Sequence, residues 1–194
     1  GLASDDIDDI TTLLTAAADD TKFEDGSFGN LATVVVADTS LTATELTDAI
    51  DDANTVTGGT DTVFTITAVD TITGSEANFI TLLADEEAEQ ISITDQNLTV
   101  TGTISVSTAN DLNETTEGTV TATIDADTTV DSLKTLEGTN AYTITIADAD
   151  ATGSTATEFN TIDSATTVAI DASAVTGLAS DDIDDITTLL TAAA

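Results

Sequence analysis

The chain has 194 residues, with 37 acidic side chains against two basic ones, a formal net charge of −35 and 40% hydrophobic residues. We expect neither nucleic-acid binding, because phosphate contacts need Lys or Arg, nor direct membrane insertion, because no apolar run has the length of a membrane span. The sequence also lacks His, Cys and Arg, so that Ser–His and Cys–His nucleophiles are not available, and we predict that the protein is not an enzyme.

The first and last segments of the chain are identical. GLASDDIDDITTLLTAAA occupies residues 1–18 and recurs unchanged at residues 177–194. Repetition at a fixed period is typical of tandem arrays. We therefore predict that residues 1–176 are one full repeat period and that 177–194 are the start of the next identical repeat. Further copies of the repeat, joined end to end, are the expected partners.

Between these segments, runs of β-branched residues with a period of two predict strands. The runs are residues 33–38, 62–70, 90–95, 98–106, 119–125, 141–148 and 166–171. Apolar residues such as Ile91 and Ile93, or Ile144 and Ile146, are predicted to face inward, with Thr and Ser on the wet face.

Short helices with capped starts are predicted after several of these strands. The cap signals are Thr42 before Glu45, Ser75 before Glu76, Thr155 before Glu158, and the segment 180–182. A Ser or Thr hydroxyl accepts from the free N–H groups of the first turn, and an acidic residue there suits the helix dipole.

The alternation predicts an α/β fold, namely a right-handed solenoid in which the period holds about six or seven strand–turn–short helix coils. Tandem all-β sandwich domains are the alternative, and disorder is a further one because of the high charge. Two segments do not fit the scheme. Residues 22–31, with Phe23 and Phe28, read as an irregular insertion, and residues 90–106 as a hairpin or a widened coil.

Acidic residues recur where the predicted strands end. If the strands stack in parallel, equivalent carboxylates on neighbouring coils lie about 4.8 Å apart and repel. Calcium, which takes six to eight oxygen ligands, would relieve the repulsion. The alternative is that each Asp forms a hydrogen-bonded turn with the backbone two residues on. The candidate metal ligands are Asp38, Asp70, Asp95, Asp125, Asp127, Asp148, Asp150 and Asp171.

One stretch carries a family resemblance. Residues 155–170, with the pattern T-x-x-E-F-N-T-I-D-S-A-T-T-V-A-I, and the following 171–177 resemble repeats of giant acidic surface proteins of marine cyanobacteria, and 39–50 and 75–83 have the same texture. The resemblance implies secretion, a cell-surface location and calcium, and it carries no catalytic residue.

The sequence therefore predicts a structural tandem-repeat segment of an extracellular filament, surface layer or giant surface protein, stabilised by divalent cations. The alternative is an adhesin that binds a sugar, such as a surface polysaccharide, or a partner protein through one face. An adhesin should carry a non-repeated aromatic patch, and the segment with Phe23 and Phe28 is the candidate.

Overall fold

The computed structural model describes residues 5–19, 28–59 and 61–192, which form a mixed α/β fold with parallel sheets. The chain divides into two compact units: Gly1–Thr99 with Thr116–Gly118, and Val100–Thr115 with Thr119–Ala194. The α/β prediction is confirmed at this level. The all-β sandwich alternative is wrong, because helices alternate with strands and neighbouring strands run parallel.

In its described residues, the first unit combines three helices with strands of two sheets. Its elements are α1 (Ile7–Ala17), β1 (Thr33–Val35), β2 (Ser40–Thr42), α2 (Ala43–Thr57), β3 (Val63–Thr65), β4 (Thr71–Ser75), α3 (Glu76–Glu87) and the beginning of β5 (Asn97–Ile104). β1 pairs with β3, whereas β2, β4 and β5 follow one another in the second sheet. α1 packs against α2, and α2 packs against α3.

The second unit repeats the succession of strand and helix. It contains the remainder of β5, α4 (Val106–Thr115), β6 (Val120–Ile124), α5 (Val130–Leu133), β7 (Ala141–Thr143), α6 (Asp148–Ala151), α7 (Ala156–Ser164) and α8 (Ile183–Ala192). β6 lies between β5 and β7, and α7 packs against α8. On the side of β7 that faces away from β6, residues flanking β7 pair through the single parallel bridges Asn140–Thr166 and Thr145–Asp171.

Five of the seven predicted strand runs contain a strand, mostly a shorter one, whereas 90–95 and 166–171 form only isolated bridges and β2 was not predicted. The predicted run 62–70 is β3 followed by a turn, and a separate strand, β4, follows it outside the run. In the run 90–95, pairing is limited to Ile91, which bridges in parallel to Phe64. The hairpin alternative for 90–106 is wrong, because the sheet neighbours of β5 are β4 and β6. The inward-facing residues of these strands, including Ile93 and Ile144, are buried as predicted.

The predicted helix caps are confirmed at three starts. Thr42 and Thr155 each accept from the N–H three residues on, and Glu45 and Glu158 bond back to the cap backbone in full capping boxes. Ser75 caps α3 in the same way, with Asn78 as the returning side chain. α4 was not predicted, because Ser and Asn interrupt its apolar stripe and residues 98–106 read as strand.

A buried polar network holds the second unit in register. Asn140 Oδ1 accepts from the N–H of Val120 at 2.9 Å, and its Nδ2 donates to Asn113 Oδ1 at 2.8 Å. The Tyr142 hydroxyl accepts from Asn140 Nδ2 at 3.2 Å and donates to the carbonyl of Ala109 at 3.2 Å. Burial raises the pKa of Tyr142 to about 12, so that this hydroxyl keeps its proton and remains a donor even in moderately alkaline solution.

Candidate cation-binding groove

Carboxylates alternate with hydroxyl side chains at the strand ends of the second unit. β6 and β7 pair up to Thr123 opposite Thr143, and Thr145 pairs with Asp171 on the other side. If the register of β6 and β7 is continued by two residues, Asp125 falls opposite Thr145, and with parallel neighbours about 4.8 Å apart the two carboxylates would be about 10 Å from each other. The repulsion in water falls from about 0.9 to about 0.4 kcal/mol when the separation doubles in this way.

The first unit shows a similar separation of charges. β2 and β4 pair with Ser40 opposite Thr71, and the N–H of Asp70 donates to the carbonyl of Thr39 at 2.8 Å. The neighbour of Asp70 is therefore Thr39 rather than Asp38, which lies one residue out of register. Asp38 has a different contact, because its Oδ2 accepts from the N–H of Ile7 at 2.8 Å at the start of α1.

Two of the predicted ligands form the turns considered as the alternative. Asp125 Oδ1 accepts from the N–H of Asp127 at 3.3 Å, and Asp171 Oδ1 accepts from the N–H of Ser173 at 3.0 Å. Hydrogen bonds from the side chain and backbone of Ser173 lower the pKa of Asp171 below its usual value. Asp148 and Asp150 lie in α6, and their side chains are outside the described set.

Two of the predicted ligands, Asp70 and Asp95, line a groove of about 550 Å³ in the first unit. Four carboxylates line it, and they belong to Asp70, Glu86, Glu89 and Asp95. Four Ser and Thr residues and an apolar surface that includes Phe64 and Ile66 complete the lining, and no Lys is among the lining residues. The groove is therefore an uncompensated anionic surface with hydroxyl donors and acceptors around it.

Glu89 lies at the end of α3 in an unusual conformation. Its φ is 60°, in the left-handed region that favours Gly. The N–H of Glu89 donates to the carbonyl of Glu86, and the N–H of Gln90 donates to that of Asp85, so the helix ends in a Schellman motif. A carboxylate here also lies at the negative end of the helix dipole. Backbone conformation, dipole and neighbouring charge all oppose a Glu at this position.

Asp85 is a perturbed carboxyl group that the sequence analysis missed. It is half-buried in α3, and its Oδ2 is enclosed without a hydrogen-bond partner. Burial, and to a lesser extent the charge of Asp51, raise the pKa of Asp85 to about 6. The acidic run at 85–89 was the available signal for both Asp85 and the groove, because carboxylates at a helix C-terminus oppose the dipole.

The groove is an acidic surface rather than a preformed metal centre. Among the residues that the structure describes, no three acidic side chains converge closely enough to hold a metal ion. An ion there would keep much of its water shell, as calcium does in open sites. The assignment of the eight Asp residues as metal ligands stays a prediction.

Comparison with protein-family models, curated proteins and solved structures finds no match to this chain. None of the described helices is long and apolar enough to cross a membrane. The aromatic patch predicted for an adhesin falls on Phe23, which is outside the described residues, and on Phe28, which is half-buried.

Proposed function

We propose that this chain is a structural tandem-repeat segment of an extracellular filament, surface layer or giant surface protein, stabilised by divalent cations. One observation carries the proposal. The identical segments 1–18 and 177–194 form helices that begin at the equivalent residues Ile7 and Ile183, 176 positions apart. The same sequence thus forms the same element twice, as the coils of a repeat array do.

The architecture that fits this function is a right-handed solenoid. Strand, turn and helix recur along both units, and the strand pairs are parallel. Parallel strands joined by a helical crossover have a strong right-handed preference. In such an array each coil buries its apolar side against its neighbours, and a rod of any length can form from one repeated sequence.

The charge distribution supports stabilisation by cations. The formal charge of −35 must be held in a small volume when the chain folds, and self-repulsion destabilises the compact state. The groove concentrates four carboxylates, and Glu89 keeps a conformation that favours Gly. Calcium, with its preference for carboxylate, hydroxyl and water oxygen, is the ion that suits this lining.

A structural role agrees with the chemistry that the chain lacks. Without His, Cys or Arg, the usual nucleophile–base pairs and arginine clamps are absent from the sequence. We therefore propose no catalytic activity. The proposed partners are further copies of the repeat, and surface polysaccharide is a second partner.

Calcium titration tests the proposed stabilisation. Thermal melts in millimolar calcium should exceed melts in sodium of equal ionic strength, because specific sites stabilise by mass action in addition to screening. At a calcium concentration of 100 times Kd, one site contributes about 2.7 kcal/mol. Identical melts would mean that calcium does not stabilise the fold specifically and that the carboxylates serve only to keep the protein soluble.

A pair of matched variants places the effect in the groove. Asp70→Asn with Asp95→Asn removes two groove carboxylates, and the calcium-specific increase in Tm should shrink. Asp111→Asn with Glu114→Gln removes two exposed carboxylates from α4 of the second unit and serves as the control. An equal loss of the increase in both double variants would argue for general charge neutralisation instead.

A further inference from the structure

The same sequence has a covered face in α1 and an uncovered face in α8. In α1, Ile7, Ile10 and Leu14 are 3%, 2% and 0% exposed. In α8, the equivalents of the first and last of these, Ile183 and Leu190, are 70% and 69% exposed. Since the two segments are identical in sequence, the difference lies in what packs against them.

The covered face of α1 shows which surface fits this sequence. α1 packs against α2, and its lead-in residue Asp5 pairs with the chain after β1. The N–H of Asp5 donates to Val35 O at 3.2 Å, and the N–H of Ala37 donates to Asp5 O at 2.8 Å. The Thr15 hydroxyl donates to Asp52 Oδ2 at 3.2 Å on α2. Strand pairing, an apolar stripe and a side-chain bond therefore fix the register.

In residues 177–194, it is the opposite face of the segment that has a partner. Asp181 Oδ2 accepts from the N–H and the hydroxyl of Thr157 at 2.8 and 2.9 Å, and the carbonyl of Asp185 accepts from Asn160 Nδ2 at 3.1 Å. The residues equivalent to Asp181 and Asp185 are Asp5 and Asp9, both exposed. Segment 1–18 is thus covered on the face that contacts the helix after it, α2. Segment 177–194 is covered on the opposite face, which contacts the helix before it, α7.

We infer that the exposed face of α8 is a docking surface for a second copy of the repeat, whose β1 and α2 cover Ile183 and Leu190. The inference rests on the tandem-repeat function proposed above, and it specifies the interface and its register. Asp181 pairs with the segment that follows β1 of the second copy, just as Asp5 pairs with the segment that follows β1 in its own repeat. The N–H of Ile183 donates to the second copy's equivalent of Asp38, just as the N–H of Ile7 donates to Asp38 in the first repeat.

The second copy is one that continues the same polypeptide from α8. In a separate chain, α2 is already covered by that chain's own α1. Docking α8 there would displace α1 and expose its apolar stripe, with no net burial. A joined copy uses residues 177–194 as its own first segment, so that the exposed stripe is buried without displacing anything.

Thiol labelling tests the interface, because the chain contains no Cys and an introduced Cys is the sole thiol. The two proteins compared are the 194-residue chain and a two-repeat chain in which residues 19–194 follow Ala194 directly. Leu190→Cys should react with a maleimide at least about tenfold more slowly in the two-repeat chain, because labelling there requires local opening. Leu14→Cys should be slow in both proteins. Thr188→Cys, on the exposed side of α8, should be fast in both.

Equal labelling of Leu190→Cys in the two proteins would overturn the inference, since the second copy would then leave the stripe exposed. Protection of Leu190→Cys that rises with the concentration of the 194-residue chain would mean exchange between separate chains, and it would overturn the assignment to a joined copy. Calcium-dependent melting with equal labelling would leave the proposed function standing and remove only the docking surface.

Discussion

Replacement of Asp85 by Asn should stabilise the protein at neutral pH. Its carboxyl group is half-buried, with one oxygen enclosed and unpartnered, and Asp51 adds a like charge. Burial and Asp51 raise its pKa from 3.8 to about 6, so at pH 7 the folded protein holds an anion that its surroundings disfavour. A pKa change of this size corresponds to about 3 kcal/mol at full burial, and partial exposure with salt screening reduces the expected gain to about 1 kcal/mol.

The pH dependence of the gain identifies its cause. A carboxyl group with a raised folded-state pKa binds a proton more readily in the folded than in the unfolded chain between pH 3.8 and 6. The contribution of Asp85 to the stability of the original protein therefore improves as the pH falls through this window. The advantage of Asp85→Asn should be largest above pH 6 and vanish near pH 4.

Urea unfolding from pH 4 to 7.5, at fixed salt, measures this advantage as the difference in free energy of unfolding between the two proteins. Glu87→Gln is the matched control, because it removes an exposed carboxylate from the same helix. A constant difference across the pH range, or a less stable variant at pH 7, would refute the proposed desolvation of Asp85.

Three further substitutions follow from the contacts. Asn140→Leu leaves the N–H of Val120 without its acceptor, which should cost about 1 to 3 kcal/mol and lower Tm; an unchanged Tm would contradict the network. Glu89→Gly relieves a left-handed residue at a cost of about 1 to 2 kcal/mol, partly offset by the entropy of Gly, so Tm should rise by a few degrees in calcium-free buffer. Thr145→Asp places a carboxylate directly opposite Asp171, so it should lower Tm in low salt, with recovery in calcium, whereas Thr143→Asp, opposite Thr123, should change Tm less.

The sequence was sufficient wherever a local interaction determines the structure. The capping boxes at Thr42 and Thr155 were predictable because donor and acceptor lie within three residues. The buried sides of the strands were predictable because side chains alternate with a period of two. Both signals depend on neighbours in the chain rather than on tertiary partners.

The groove and the charge columns depend on register between strands that are distant in sequence. Asp38 and Asp70 occupy similar places in their runs, yet the turn between β3 and β4 shifts Asp70 into line with Thr39. A one-residue shift changes which face a side chain occupies, and the turn that sets it has no strong sequence signal. Asp85 was missed for a related reason, since its like-charged neighbour Asp51 comes from a different helix.

The self-contained helix starts have a consequence for how such a chain can change in length. In α2 and α3 the last strand residue is itself the helix cap, and in α2, α3 and α7 the cap and the side chain three residues on bond to one another. A duplicated or deleted strand-and-helix segment would therefore bring its own start signal with it. Insertions of whole segments should disturb folding less than insertions of a few residues inside one. Recombination between similar DNA segments can therefore lengthen or shorten the protein without new helix caps having to evolve at the junctions.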